Sequence, residues 1–522
     1  MSRLLLSRMR GAGRGNWLKP YSISYSTSSS ASVSPPPPPR TISRLLDFTP
    51  SEPVENINVD GYVRSIRSLK RYHFVAVGDG SSIESLQAVI PADKADGLSV
   101  GAAVRLQGSW VPSEGRSQSH ELQVSQATVL GPSDAKTFPI QKKYHTPEYL
   151  RTLPHLRSRI PFNAAVLRFR SELISSLNKF FTNRQFIQTH TPILTSSDCE
   201  GAGEVFHVLG SNERAVSGAD GPKPFFRRPV YTTVSSQLHL EALAQSLGNV
   251  WTLSPTFRAE QSDTPRHLSE FYMLEAELSF TDSNSLVMDM VEDMLKYVAT
   301  DLAGSKVVGE LLSPAARRPS HLASTEEVGQ RWSGLARDAW PRITYTEAIQ
   351  ILEDAGVPFT RKPTWGKDLH TEHEKFIAAK VGQGHTPVFV TNYPREIKAF
   401  YMKVDETAPS GPSHGETVEC FDLLVPEFCE LAGGSMREHR LDNLIESMRA
   451  HGLNPSAAPK DPSGASEGTD DNLDWYLDLR RWGCPPHGGF GLGFDRLMCY
   501  LTGVQTIHDT TAFPRWYGRC DA

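Results

Sequence analysis

The chain has 522 residues, 39% of them hydrophobic and 22% charged, with a formal net charge of −5. That length supports two or three domains with cores of their own, and no apolar run approaches the ~18 residues of a membrane-spanning helix. The acidic balance excludes a global basic field for nucleic acid but not a local basic face, and six cysteines without a CxxC pair argue against a zinc ribbon or a disulfide framework.

In chain order, the N-terminal stretch carries Arg3, Arg8, Arg10, Arg14, Lys19 and Arg40, many serines, a proline run, and no acid before Asp47. Leu4, Leu5, Leu6 and Met9 among the arginines allow a short basic amphipathic helix, which is the composition of a mitochondrial transit peptide. Residues 1–45 are therefore expected to be a disordered leader to the mitochondrial matrix. A secretory signal is disfavoured because the apolar run is too short.

From Val54 to Leu130, INVDGYVRSI, YHFVAVGDGSS, LQAVIPA, AVRLQGSWV and HELQVSQATVL read as five short strands with turn signals between them. That pattern predicts a small barrel, placed at residues 46–135. Arg64, Arg67, Lys70, Arg71 and His73 crowd its first hairpin beside Tyr72 and Phe74. Cations that track phosphates and rings that stack on bases suit a single-stranded nucleic acid. Surface cations beside a core ring would give the same pattern.

Residues 136–160 read as a basic, proline-punctuated hinge. The remainder, 161–522, mixes helices with strands. It opens on a helix with Val166, Phe169, Leu173, Leu177, Phe180 and Phe181 on one face. Stretches near 303–340 and 454–472 read as surface insertions. At Ser235–Gln245, SSQLHLEALAQ alternates, which would turn Gln237, His239 and Glu241 to one side.

Three segments carry chemistry: FIQTHTPILTSSDCEGAGEVF (186–206), PTFRAEQSDTPRHLSEFYMLEAELSF (255–280) and GGFGLGFDRL (488–497). Alternation in FYMLEAE puts Phe271, Met273, Glu275 and Glu277 on one face, near Arg258, Arg266 and His267. Two carboxylates and an aromatic ring facing one way make poor core, because buried charge needs a partner. They make sense against a charged ligand: arginines bind phosphate oxygens and Phe stacks on a base. The glycines ahead of Asp495-Arg496 let backbone approach a bulky ligand closely.

In this order the segments resemble motifs 1, 2 and 3 of the class II aminoacyl-tRNA synthetases, aspartate/asparagine/lysine subgroup, over nearly all of the chain after residue 50. The resemblance implies an α+β chain: an antiparallel-sheet catalytic domain, an N-terminal five-stranded OB-fold barrel that binds the anticodon, and a homodimer. It implies ATP as substrate with Mg2+. By motif position, Arg258 and Arg496 are the catalytic residues. Glu260, Arg266, His267, Phe271 and Glu430 join them around ATP, and Asp422 and Glu430 hold the metal. Phe74, Gln87 and Arg64 match anticodon contacts.

For the amino acid, the resemblance assigns Gln237 and Glu200 to the ammonium group, Arg437 to the side-chain oxygen and Glu275 to an amide NH2. The aspartate enzymes carry Gln-x-x-Lys where this chain has Gln237 and Leu240. Without that lysine a β-carboxylate would lack a cation, whereas a neutral amide needs none. QLHLE, TNYP, KAFYMK, FDLLVPE and GGSMRE together are similar to the asparaginyl-tRNA synthetases, in a mitochondrial form. The implied activity is ligation of L-asparagine to tRNA(Asn) through an adenylate. The alternatives are an aspartyl enzyme and a synthetase-like binding protein without catalysis. FDR in place of the subgroup's FER, CPPHGG, and His508 where an arginine is common are departures that remove no named group.

Overall fold

The computed structural model describes residues 41–115, 118–196, 205–210, 225–226, 228–314, 316, 322–407, 415–455 and 473–521. The strands Val54–Ser68, Tyr72–Gly78, Leu86–Pro91, Ala103–Pro112 and His120–Gly131 close into a barrel. Every pairing in it is antiparallel except Leu86–Pro91 with His120–Gly131. Alternation turns Val75, Val77, Leu86, Ala88, Leu106 and Leu122 inward to fill it. A short helix, Ile42–Leu46, packs Ile42 and Leu45 into the same core. The expected leader boundary at 45 is thereby corrected: residues from Thr41 onward belong to the barrel domain.

The stretch expected to be a plain hinge is also more than a linker. It contains the helices Pro147–Arg151 and Pro154–Arg157. Arg151 Nη2 and Arg157 Nη2 reach the two oxygens of Asp509 at 2.8 and 2.9 Å. Both arginines are largely buried, so neither is a free surface cation.

The larger domain is built on an eight-stranded sheet. In spatial order its strands are Arg342–Thr344, Val388–Thr391, Cys420–Val425, Cys429–Met436, His487–Gly493, Glu270–Ser279, Val250–Phe257 and Ile187–Gln188. The six central strands pair antiparallel, and only the two edge pairs are parallel. The helices Pro161–Asn183 and Asn284–Leu302 cover one face and share a core with Leu274, Ala276 and Leu278. The helix Gln237–Leu247 packs on the other face, beside the cleft.

The described residues of the 303–340 stretch are not a surface appendage. The helices Lys306–Leu312 and Thr325–Leu335 bury Val307, Val308, Leu311 and Leu335 in the main core, with Trp340. Most of the second expected insertion, 456–472, lies outside the described residues.

Candidate active site

The cleft is laid out by strand register. Residues opposite one another in neighbouring strands share a face, and one row runs Asp422, Gly433, Gly491, Glu275, Thr252. A parallel row runs Cys420, Ser435, Gly489, Glu277, Val250. The glycines leave room for the carboxylates opposite them. A Cβ on Gly489 would overlap the Glu277 carboxylate, and one on Gly491 would stand 2.8 Å from Met273 Cε. The glycine density noticed in GGFGLG is thus a flat floor between charged walls.

At one end, Arg258, Arg266, His267, Phe271, Glu430 and Arg496 line a recess of about 120 Å³. Arg258 lies over the Phe271 ring at 5.7 Å, and its Nη1 stands 4.0 Å from Glu260 Oε1. His267 Nε2 is 3.5 Å from Glu260 Oε2. Burial lowers the His267 pKa and Glu260 opposes that shift, while Arg496, Arg266 and Arg258 reinforce it. Arg266 donates to Cys429 Sγ and Thr371 Oγ1 at 3.3 and 3.2 Å. Arg496 Nη1 donates to the Glu430 carbonyl at 2.6 Å. The acid before it, Asp495, is an anchor: it accepts from Arg170 Nη1 at 2.5 Å and from the Tyr272 N–H at 2.9 Å. His508 is buried too, stacked on Trp516 and donating from Nε2 to the His267 carbonyl at 2.9 Å.

A second recess of about 180 Å³ adjoins the first, because Arg258, Met273, Glu430 and Gly491 line both. Gln237, Leu240, Glu275 and Arg437 all face it. The expected strand-like alternation in QLHLE is corrected here. The segment is the first turn and a half of a helix, so Gln237 and Leu240 share a face by their three-residue spacing. His239 instead stacks on Trp475. Glu275 is buried and accepts from Ser235 Oγ at 2.5 Å and from the Ser236 N–H at 3.0 Å. Burial raises its pKa, and those two donors and Arg258 offset part of the shift.

Alternation alone turns Glu277 to the cleft face, and its partner becomes visible only in the structure. Glu277 holds Arg437 from two sides, Nε at 3.2 Å and Nη2 at 3.1 Å, while Ser435 Oγ accepts from Nη1 at 2.7 Å. Beneath them Glu241 accepts from Arg480 Nη2 and the Tyr476 hydroxyl, each at 2.7 Å, and from His487 Nε2 at 3.0 Å. His487 Nδ1 faces the Pro485 carbonyl at 2.9 Å. Both ring nitrogens therefore meet acceptors, the pattern of an imidazolium. Burial opposes that charge, but the Cys484 and Glu241 bonds outweigh it and push the pKa up to about 10. No local signal tied Glu241 to Arg480 and His487, which lie more than two hundred residues away in the chain.

Asp422 and Glu430 flank Gly433: a Cβ there would stand 3.0 Å from Glu430 Oε1 and 3.4 Å from Asp422 Oδ1. Lys398, in KAFYMK, pairs with Asp422 at 2.8 Å. Glu374 lies nearby, its pKa raised to about 7 by burial and by the charges of Glu430 and Asp422. Among the described residues no three His, Cys, Asp or Glu side chains form a ready metal cage. Mg2+ is commonly held by one or two carboxylates plus substrate phosphates, and a pair of acids on the cleft floor fits that use.

On the barrel, Phe74 and Gln87 lie on the outer face of adjacent strands, where Ala76 pairs with Gln87 and Phe74 with Val89. Gln87 Nε2 donates to Glu121 at 2.9 Å. Arg64 does not join them as an open cation. Its guanidinium donates to the carbonyls of Ser82 and Ile83 and to Ser85 Oγ, which ties it to the 82–85 loop. Glu200 and Cys199 lie outside the described residues. A larger cavity, about 850 Å³, opens between the 143–163 segment and the C-terminal tail, where Arg151 and Asp509 are paired with each other.

Residues 146–517 match the family described as tRNA synthetases class II (D, K and N). An asparagine–tRNA ligase of Nostoc sp. is 40% identical, over 89% of this chain and 96% of the relative. The chain belongs to the asparaginyl-tRNA synthetase family. The mitochondrial asparagine–tRNA ligase of Saccharomyces cerevisiae is 39% identical over 91% of this chain and 95% of the relative. The asparaginyl-tRNA synthetase of Pyrococcus horikoshii, solved in complex with asparaginyl-adenylate, superposes with a TM-score of 0.74 at 28% identity, over 92% of this chain and 98% of that one. The closed barrel and antiparallel sheet are the architecture expected of this family.

Proposed function

We propose that this chain joins L-asparagine to ATP and passes the asparaginyl group to tRNA(Asn), as a homodimer in the mitochondrial matrix. The observation that carries the reading is the amino-acid recess, which sets Leu240 and Glu275 beside Arg437. Arg437 donates to the side-chain oxygen of asparagine and Glu275 accepts from its NH2. An aspartate there would put its carboxylate against Glu275 with no lysine at position 240, leaving buried groups unpaired. Retention of the arginine pair around Phe271 argues against a non-catalytic binding protein.

In the first step the asparagine α-carboxylate attacks the α-phosphorus of ATP and pyrophosphate leaves. In the second a terminal ribose hydroxyl of the tRNA attacks the activated carbonyl and AMP leaves. Such transfers rest on positioning and charge neutralisation rather than on a protein nucleophile. Arg258 would neutralise charge on the α-phosphate, Arg496 and His267 would hold the γ-phosphate, and Phe271 would stack on adenine. Glu260 and Arg266 flank that nucleotide. Asp422 and Glu430 would hold Mg2+, which supplies charge neutralisation at the phosphates. Gln237, with Glu200, would receive the ammonium group. Phe74 would stack on the anticodon.

The acid-free, arginine-rich leader and the similarity to a mitochondrial relative support the location. Ile187 on a sheet edge that is unpaired among the described residues, with Ile193, Leu194 and a strongly exposed Phe280, supports a self-association surface.

The test is amino-acid-dependent ATP–pyrophosphate exchange with Asn and Asp offered separately, followed by charging of tRNA(Asn). Exchange and charging with Asn alone is the expected result. Exchange with Asp would make this an aspartyl enzyme, and silence with both in the presence of tRNA would leave a binding protein.

A further inference from the structure

Gln237 needs something to decide which end of its amide meets the substrate. Rotation about the terminal torsion of glutamine is soft and nearly two-fold, so the residue does not choose by itself. Its Nε2 lies 3.1 Å from Glu241 Oε1, one helical turn on. Glu241 is completely buried and fixed from behind by Arg480, Tyr476 and His487. An ionised carboxylate has only acceptors, so only the NH2 end of Gln237 can face it. We infer that Glu241 is a positioning residue: by claiming the Gln237 NH2, it leaves Gln237 Oε1 as the acceptor offered to the substrate ammonium. The inference rests on the reading of Gln237 given above.

Two elements distant in sequence build this clamp. Tyr476 and Arg480 come from the helix Asp474–Arg481, and His487 from the start of the strand His487–Gly493. With two cations and a hydroxyl on Glu241, its pKa is driven far below the ordinary carboxylate value despite burial. Were the amide reversed, its N–H groups would oppose a substrate cation and its oxygen would oppose the carboxylate. Both mismatches would be buried and costly.

The experiment compares asparagine with succinamic acid, which is asparagine without its α-amino group, on the full chain. Exchange kinetics give the KM for Asn, and inhibition gives the Ki for succinamic acid. Gln237→Ala tests the underlying reading and should raise only the former. Glu241→Gln can present either end of an amide to Gln237. It should raise the Asn KM about tenfold, the worth of one charge-assisted bond, with kcat, the ATP KM and the succinamic acid Ki near their original values. Tyr476→Phe, a milder change that keeps the carboxylate, should move the Asn KM the same way by less. The inference is overturned if Gln237→Ala behaves as expected while both network variants keep the original Asn KM. It is equally overturned if the two constants rise in parallel, because that marks general damage to the recess. If Gln237→Ala moves neither constant, the role given to Gln237 falls and takes the inference with it.

Discussion

Leu240 is the residue on which the choice of amino acid turns. It is buried, packs with Ala244 and Val250, and lines the amino-acid recess one helical turn from Gln237. Leu240→Lys should lower kcat/KM for Asn by about tenfold or more and bring Asp-dependent exchange into view, because the new cation pairs a β-carboxylate. An unchanged Asn-to-Asp ratio in a folded variant would sink the specificity account. Glu275 adds a pH dependence. Its raised pKa means that it takes up a proton earlier, as pH falls, than an ordinary glutamate. Ionised, it rejects a carboxylate; protonated, it can donate to one. The preference for Asn over Asp should therefore narrow as pH falls from neutrality into the usual carboxylate range. Exchange rates with both amino acids across that interval check it, and a flat ratio contradicts the role of Glu275.

At the scale of elements, the strand His487–Gly493 works through what it lacks. Gly489 and Gly491 sit opposite Glu277 and Glu275. Their alanine variants should differ. A Cβ on Gly489 meets the Glu277 carboxylate and the Ala276 carbonyl, which cannot both yield. Gly489→Ala should therefore cost the fold about 1–3 kcal/mol as an overpacked site, read as a lowered melting temperature. The Cβ on Gly491 meets the movable end of Met273. Gly491→Ala should keep its melting temperature and instead raise the KM for Asn and ATP. Equal behaviour of the two variants would contradict the floor described above. The sequence made this strand visible as a glycine run. Only the register revealed which side chain each glycine accommodates.

At the scale of the molecule, the barrel is latched to the catalytic domain through Glu310. Ser82 Oγ donates to it at 2.9 Å and Arg168 Nη2 at 2.7 Å, and Arg64 braces the same barrel loop. Arg168 lies on the long helix that also carries Arg170, the partner of Asp495 in the third motif. Glu310→Ala leaves these donors unmatched. Exchange without tRNA should be unchanged, while charging should show a several-fold loss in kcat/KM for tRNA, in line with a loss of about 1 kcal/mol of interdomain contact. A variant that charges tRNA normally would mean that the latch has no part in placing the barrel.

The sequence by itself determined the barrel strands and the cleft face of Glu270–Ser279, because period-two alternation is a local property written in consecutive residues, while the α+β plan followed from the family resemblance. The sequence also supplied the three motifs that mark the family and the Gln237–Leu240 pair. Tertiary structure decided the rest. QLHLE reads as a strand by alternation, yet it forms the start of a helix, with Ser236 donating to Glu275 of a neighbouring strand. The bonds that tie Arg64 to the loop at 82–85 could not be read from its neighbours in the chain. Lys398 against Asp422, Glu277 against Arg437 and Glu241 among Arg480, Tyr476 and His487 were likewise not legible. A charged side chain carries no record of its partner when that partner is supplied by another strand or helix, and burial alone makes the pairing obligatory.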